Sequence, residues 1–241
     1  MHRALLLAAA LPLACLRADD ALPPIPSGPP MHALLTAQIA AERSEFWAVD
    51  SSETRFASLG ELYAAKPDEA ARTALGLAFW AQRNASFESV TGMHALRDTR
   101  DDLEHSAATV ARVLRTRPAA GGGGGGGGAR CLNIAAGIGR EAAHALAPGG
   151  CDVLDLLEPQ AAYAEVARAR VPAARLGRVF TALAQDHDFG ADKYDVIFVG
   201  WCVQFIPDGA FVALMRRAAG ALREGGVLIV KDNVSDFADA V

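Results

Sequence analysis

The sequence predicts an α/β fold built on a parallel sheet with crossover helices. Five short apolar runs recur from residue 130 onward, and stretches of helical period separate them. A strand that is followed by a helix returns to the same end of the sheet, so such alternation gives parallel pairing. The third observation is size: 241 residues at 51% hydrophobic can bury one sizeable core.

The runs are CLNIA (131–135), DVLDLL (152–157), RVFTAL (178–183), YDVIFV (194–199) and GVLIVK (226–231). Helices are expected over about 138–146, 159–169 and 209–222. In the last, Phe211, Leu214, Met215, Ala218 and Leu222 share one face. Upstream, Pro67-Asp68-Glu69 is a helix start, with Pro in the first turn and acids at the positive end. That helix should run to about Gln82, and another should cover 101–115, where Leu103, Ala107, Val110 and Leu114 repeat at helical spacing.

The chain divides into four parts. Residues 1–30 form an extension whose first 19 residues have a basic start and an Ala/Leu run, as an export or organelle-entry signal does. An Ala/Leu-rich extension without that role is the alternative. The run is too short to span a bilayer as a mature helix, and a Pro-rich linker follows it. Residues 31–120 are a helical N-terminal region, with a further helix expected over 31–48. Gly121–Gly128 is an unbroken glycine run that precedes a strand. A phosphate loop instead has glycines at fixed spacing after a strand, so the run reads as a flexible insertion. The sheet-forming core is 129–241.

Net charge is −5, from 23 basic and 28 acidic residues, and no stretch is strongly basic. Such a balance disfavours a nucleic-acid partner and suits a cationic one. The four cysteines form no C-x-x-C pair, and no His/Cys group has metal spacing. Cys131 and Cys151 each open an apolar run, so both are expected to be small core residues without a disulfide framework.

Two strand ends carry chemistry. The first strand leads into Asn133-Ile134-Ala135-Ala136-Gly137-Ile138-Gly139-Arg140. Glycines at that turn let a ligand approach the backbone, and the following helix offers free N–H groups. The second strand ends in DLLEP, with Glu158 about 20 residues after the glycines, where an acid hydrogen-bonds the ribose hydroxyls of a nucleoside. A dinucleotide oxidoreductase shares both features, but its G-x-G-x-x-G fingerprint fits Ala135 to Arg140 poorly.

AAGIGR, DLLEP, YDVIFVGW and GGVLIVKDN, in this order and spacing, resemble the α-N-methyltransferases that act on protein N-termini beginning X-Pro-Lys or X-Pro-Arg. Upstream, Phe79-Trp80-Ala81-Gln82 and Gly92-Met93 resemble the same family's YW…DGM segment. The Trp after the fourth strand, with K-D-N after the fifth, is the restrictive part. The resemblance implies a Rossmann-like class I methyltransferase with S-adenosyl-L-methionine as cofactor. Its sheet order would be 3-2-1-4-5, under an N-terminal helical cap. It implies a cofactor site of Trp80, Ala135, Gly137, Arg140, Glu158, Pro159, Leu183, Gln185 and Gly200, with Arg140 near the methionyl carboxylate. Glu158 would bind the ribose, and Leu183 to Asp186 would border the adenine. Trp201 and Asn233 would hold the substrate, and Trp201, Asp232 and Asn233 are the catalytic candidates. The implied compartment is cytoplasmic or nuclear; a real leader would mean the secretory pathway or an organelle instead.

The sequence departs from the family in places. Asn133 stands where Asp is usual, and Ala135 where the first glycine is. His94-Ala95-Leu96-Arg97-Asp98 replaces a Gly-Gly-Tyr-Gly-His loop, and Phe205 replaces a His that would accept a proton. These bear on turnover and substrate choice more than on fold. Two alternatives therefore stand beside protein N-terminal methylation. One is methylation of another small-molecule or protein group, and the other a catalytically inactive homologue that binds cofactor or partner. The class also implies two strands beyond Val241, so truncation is expected, with Asp236 and Asp239 as candidate stand-ins for carboxylates after K-D-N. An apolar fifth strand at an open edge is then expected to self-associate.

Overall fold

The computed structural model describes residues 48–49, 55–56, 61, 64–65, 68–91, 96–116, 128–191, 193–232 and 239–240. The leader-like segment and Gly121–Gly127 lie outside these residues. So does the helix expected over 31–48, apart from Ala48. Ala48 instead belongs to a short strand, β1 (Ala48–Val49), which pairs antiparallel with β2 (Arg55–Phe56).

Five parallel strands form the main sheet: β3 (Arg130–Ile134), β4 (Val153–Leu157), β5 (Leu176–Phe180), β6 (Tyr194–Gly200) and β7 (Leu222–Lys231). Their spatial order is β5-β4-β3-β6-β7, so the expected 3-2-1-4-5 order holds. The order reverses beside β3, and the crevice at the C-terminal ends of β3, β4 and β6 is the ligand position of such sheets. A last short strand, β8 (Asp239–Ala240), joins β1 in parallel.

Alternation along the strands builds two cores. Cys131 of β3 and Val196 and Phe198 of β6 pack on one face with Leu103, Val110 and Leu146. Leu132 and Ile134 of β3 and Ile197 and Val199 of β6 pack on the other with Leu214 and Ala218. A period of two sends successive side chains to opposite faces, so a strand covered on both faces reads as continuous apolar sequence. Three polar groups cross this pattern: Asn133 of β3, Asp155 of β4 and Asp195 of β6. Asp155 is fully buried in β4, where Arg130 and Arg178 pair with its carboxylate at 2.7 and 3.3 Å and the Tyr194 hydroxyl donates to it at 3.0 Å.

The helices are α1 (Glu69–Ala81), α2 (Phe87–Thr91), α3 (Leu96–Thr116), α4 (Ala161–Arg170) and α5 (Asp208–Gly220). Asp68 caps α1 by accepting from the Ala70 and Ala71 amides at 2.9 and 3.3 Å, as an N-cap acid does. Helix α3 begins earlier than its apolar repeat, since nothing from Leu96 to Arg100 breaks a helix. The segment after the glycine turn is helical, but Ala142–Leu146 winds as a π-helix, for which the sequence carries no signal.

Three further expectations are corrected. Strand β5 stops at Phe180 rather than Leu183, because β4 offers no partner beyond Leu157, which faces Phe180. Strand β7 starts at Leu222 rather than Gly226; a register shift opposite Tyr194–Val196 absorbs the Arg223–Gly226 stretch, with Gly225 at φ 70°. Cys131 and Cys151 are buried, as their setting implies, but they are joined by a disulfide. Parallel pairing of Cys131 with Leu154 brings the residue three before it within reach, and spacing alone gives no such connectivity.

Candidate cofactor and substrate site

The glycine turn leaves β3 through three left-handed backbones: Ala135 at φ 53°, Gly137 at φ 54° and Gly139 at φ 78°. Gly139 is required by contact as well, because a Cβ there would meet the Ala167 Cα of α4 at 2.9 Å. The turn is laced to the end of β4. The Ala136 amide donates to the Leu157 carbonyl at 3.0 Å, and the Gly137 amide donates to Glu158 Oε2 at 2.8 Å. Glu158 Oε1 accepts from the Gln160 amide at 2.9 Å. Burial pushes the Glu158 carboxyl above its ordinary range, and the Gln160 and Gly137 amides oppose this.

Beyond the turn lies a charge cluster in which Arg140 and Glu141 are buried and Asp102 and Lys231 half-buried. Arg140 pairs with its neighbour Glu141 and approaches Asp102 of α3 at 3.6 Å. Lys231, at the end of β7, pairs with the other Asp102 oxygen and donates to Ser106 Oγ at 2.7 Å. Both cations face Trp201, whose ring centre is 4.9 Å from the Arg140 guanidinium and 6.0 Å from the Lys231 ammonium. Trp201 directly follows β6 at φ 62°, a left-handed backbone rare for a bulky residue. Its amide donates to the Lys231 carbonyl at 2.9 Å, while its buried indole N–H has no acceptor among the described residues.

Helix α1 forms the opposite wall. Gln160 Nε2 donates to the Leu77 carbonyl at 2.9 Å, and the Tyr163 hydroxyl donates to the Trp80 carbonyl at 3.2 Å. Gln185 Nε2 donates to Thr73 Oγ1 at 3.3 Å. Trp80 packs edge-on against Tyr163 and Phe205, with ring centres 6.2 and 5.6 Å away. Between these walls is a cavity of about 400 Å³, a small-molecule volume. Cys202 lines it, but burial pushes its thiol far above neutrality, so it is no ready nucleophile.

Ten of the residues chosen from the sequence meet at this cavity: Trp80, Ala135, Gly137, Arg140, Glu158, Pro159, Leu183, Gln185, Gly200 and Trp201. Asp232 lies outside the lining, where its carboxylate accepts from the Val203 amide at 2.6 Å. Asn233 and Asp236 fall outside the described residues, as does the 92–95 segment. Sequence reasoning missed Glu141, Gln160, Tyr163 and Thr73. Gln160 follows the DLLEP motif directly, a signal that was available; the others enter only through tertiary packing. Among the described residues no group of His, Cys, Asp and Glu is placed to hold a metal, and no helix is long and apolar enough to cross a membrane.

The residues present fit a nucleoside with an amino-acid end. A Cβ on Gly137 would meet nothing within 4 Å, so the turn opens onto free space beside Glu158. The family described as AdoMet dependent proline di-methyltransferase matches this chain over residues 68–241. Alpha N-terminal protein methyltransferase 1 of Arabidopsis thaliana is 29% identical over 199 residues, 78% of this chain and 71% of that one. The human N-terminal Xaa-Pro-Lys N-methyltransferase 1 is 30% identical over 106 residues, 43% of this chain and 47% of that one. The chain covers about half the length of the rice, human, zebrafish and fission-yeast relatives that it matches. A solved SAM-dependent methyltransferase of Leishmania major shares the fold, with a TM-score of 0.63 and 24% identity, covering 80% of this chain and 76% of that one.

Proposed function

The chain belongs to the AdoMet dependent proline di-methyltransferase family, and on that premise we propose that it methylates the α-amino group of protein N-termini beginning X-Pro-Lys or X-Pro-Arg. The observation that carries the reading is the convergence of the glycine turn, Glu158 and Trp201 on one cavity. S-adenosylmethionine, when bound, supplies a methyl group made electrophilic by its sulfonium. Glu158 would accept hydrogen bonds from the ribose hydroxyls, Gly137 and Arg140 would hold the amino-acid end, and Leu183 and Gln185 would border the adenine.

The rest of the task falls to the substrate side. Trp201, at the mouth of β6, offers an aromatic face for a proline ring, and Asn233 would hold the first substrate residues by hydrogen bonds. A free α-amine has a pKa of about 7.7–8.0, so much of it is neutral at mildly basic pH and proximity supplies most of what is needed. Phe205 stacks against Phe79 with ring centres 6.2 Å apart. It places an apolar ring where the family's His would accept a proton. That observation favours the second reading, a homologue that binds cofactor without turnover.

One experiment separates the two. An X-Pro-Lys peptide is incubated with the protein and S-adenosylmethionine, and methylation is read by mass spectrometry. An acetylated peptide, whose nitrogen lone pair is delocalised, is the control. Trp201→Ala and Asn233→Ala should abolish the product and leave cofactor affinity nearly unchanged. Full activity in both variants would sink the N-terminal assignment. Cofactor binding with no product in the wild type would favour the inactive homologue.

A further inference from the structure

The charge cluster behind the glycine turn contains one residue that the reading above leaves without a task. Glu141 lines the cavity beside Arg140, is 7% exposed, and forms the tighter of the two ion pairs of Arg140. The cluster holds two cations, Arg140 and Lys231, against two anions, Asp102 and Glu141. It is neutral as a whole. One Asp102 oxygen pairs with Lys231, and the other, buried, lies 3.6 Å from Arg140 with no hydrogen-bond donor among the described residues.

A neutral cluster built around a buried Arg140–Glu141 pair constrains what enters it. If Arg140 alone turned to a ligand carboxylate, Glu141 would lose its partner inside the protein, and an uncompensated buried charge is costly. Burial already pushes the Glu141 carboxyl up, with Arg140 the main group holding it down. A ligand end that carries both a carboxylate and an ammonium resolves this. Its carboxylate takes Arg140, its ammonium takes Glu141, and no charge is left bare.

We propose that Glu141 is a cofactor-binding residue that receives the α-ammonium of the S-adenosylmethionine amino-acid end as Arg140 turns to the carboxylate. This rests on reading the cavity as an S-adenosylmethionine site. In the ligand-free chain Glu141 keeps Arg140 neutralised; with ligand it selects for a zwitterion.

Calorimetry on the full chain tests it with three probes: S-adenosylhomocysteine, a deaminated analogue that keeps the carboxylate, and 5′-methylthioadenosine, which lacks the amino-acid end. The wild type should prefer S-adenosylhomocysteine to the deaminated analogue by about tenfold or more, as for a charge-assisted bond. Glu141→Gln should erase that preference and leave methylthioadenosine binding unchanged, which also shows that the variant is folded. The wild-type comparison stands even if the variant does not fold. No preference in the wild type, or a preference that survives Glu141→Gln, would overturn the assignment; so would tighter S-adenosylhomocysteine binding by the variant. If the wild type binds none of the three probes, the cofactor reading itself is wrong and this assignment falls with it. Methylthioadenosine binding without the preference removes Glu141 alone.

Discussion

Glu158 shows how a single side chain ties pH to two properties at once. Its folded pKa is raised above the unfolded value by burial. As pH falls, the folded chain therefore takes up this proton before the unfolded chain does. Between the two values acidification adds stability, because the native state binds more protons there. A ribose site needs the carboxylate, so S-adenosylhomocysteine affinity should fall across the same window, measured by calorimetry at decreasing pH. Glu158→Ala should cost about 1.5–3 kcal/mol of cofactor binding, the worth of a hydrogen bond to a charged group. Tight NADH binding with no S-adenosylhomocysteine binding would refute the site. Ala135 gives a prediction of opposite sign. Its left-handed backbone at φ 53° costs a residue with a Cβ about 1–2 kcal/mol, part of which glycine would give back as unfolded-state entropy. Ala135→Gly should thus raise stability by about 0.5–1 kcal/mol in a denaturant titration; no change or a loss would mean that the Ala methyl packs usefully.

Individual elements are held by a few polar ties and one covalent one. The Cys131–Cys151 bond closes a loop of 20 residues between the start of β3 and the approach to β4. Reducing it, or making the Cys131→Ser and Cys151→Ser double variant, should cost about 3 kcal/mol by the loop-entropy argument. Thiol counting under denaturing conditions should find Cys131 and Cys151 unreactive until reductant is added; free thiols at both positions would show that the pair does not form in solution. Helix α4 approaches the glycine turn through Ala167 and Gly139. Gly139→Ala combines backbone clash with a left-handed φ of 78°, so it should lose about 2 kcal/mol or more of stability. A variant as stable as the wild type would show that α4 can move aside.

At the scale of the molecule, the cavity joins parts of unequal security. Strands β3, β4 and β6 are buried almost throughout, whereas α1 has no buried residue and meets the sheet side of the cavity by hydrogen bonds through Gln160, Tyr163 and Gln185. Elements with few buried contacts open first. Hydrogen exchange should therefore find the α1 amides least protected in the free chain, with the largest gain on adding S-adenosylhomocysteine. Ligand at a hundred times its Kd should stabilise the whole fold by about 2.7 kcal/mol, read as a rise in Tm. If the gain fell on the central strands and spared α1, α1 would not be a wall of the ligand site. Strand β7 lies at the sheet edge, yet its residues Val227 and Leu228 are buried.

The alternation of apolar runs with helical stretches determined the parallel sheet, because the period and length of each run depend only on local chemistry. Order along the chain, with the quoted motifs, also located the cavity, since ligands meet open α/β sheets at the carboxyl ends of the central strands. Tertiary structure decided what distance along the chain conceals. Cys131 finds Cys151, Lys231 finds Asp102, and Phe205 meets Phe79 and Trp80 across the cavity. Glu141 shows the limit most clearly. In sequence it is one acid at the start of a helix; only its burial beside Arg140, with Asp102 of α3 and Lys231 of β7 brought to the same place, makes its partner a matter of energy. Pairing between distant residues depends on which faces the sheet brings together, and no local pattern carries that information.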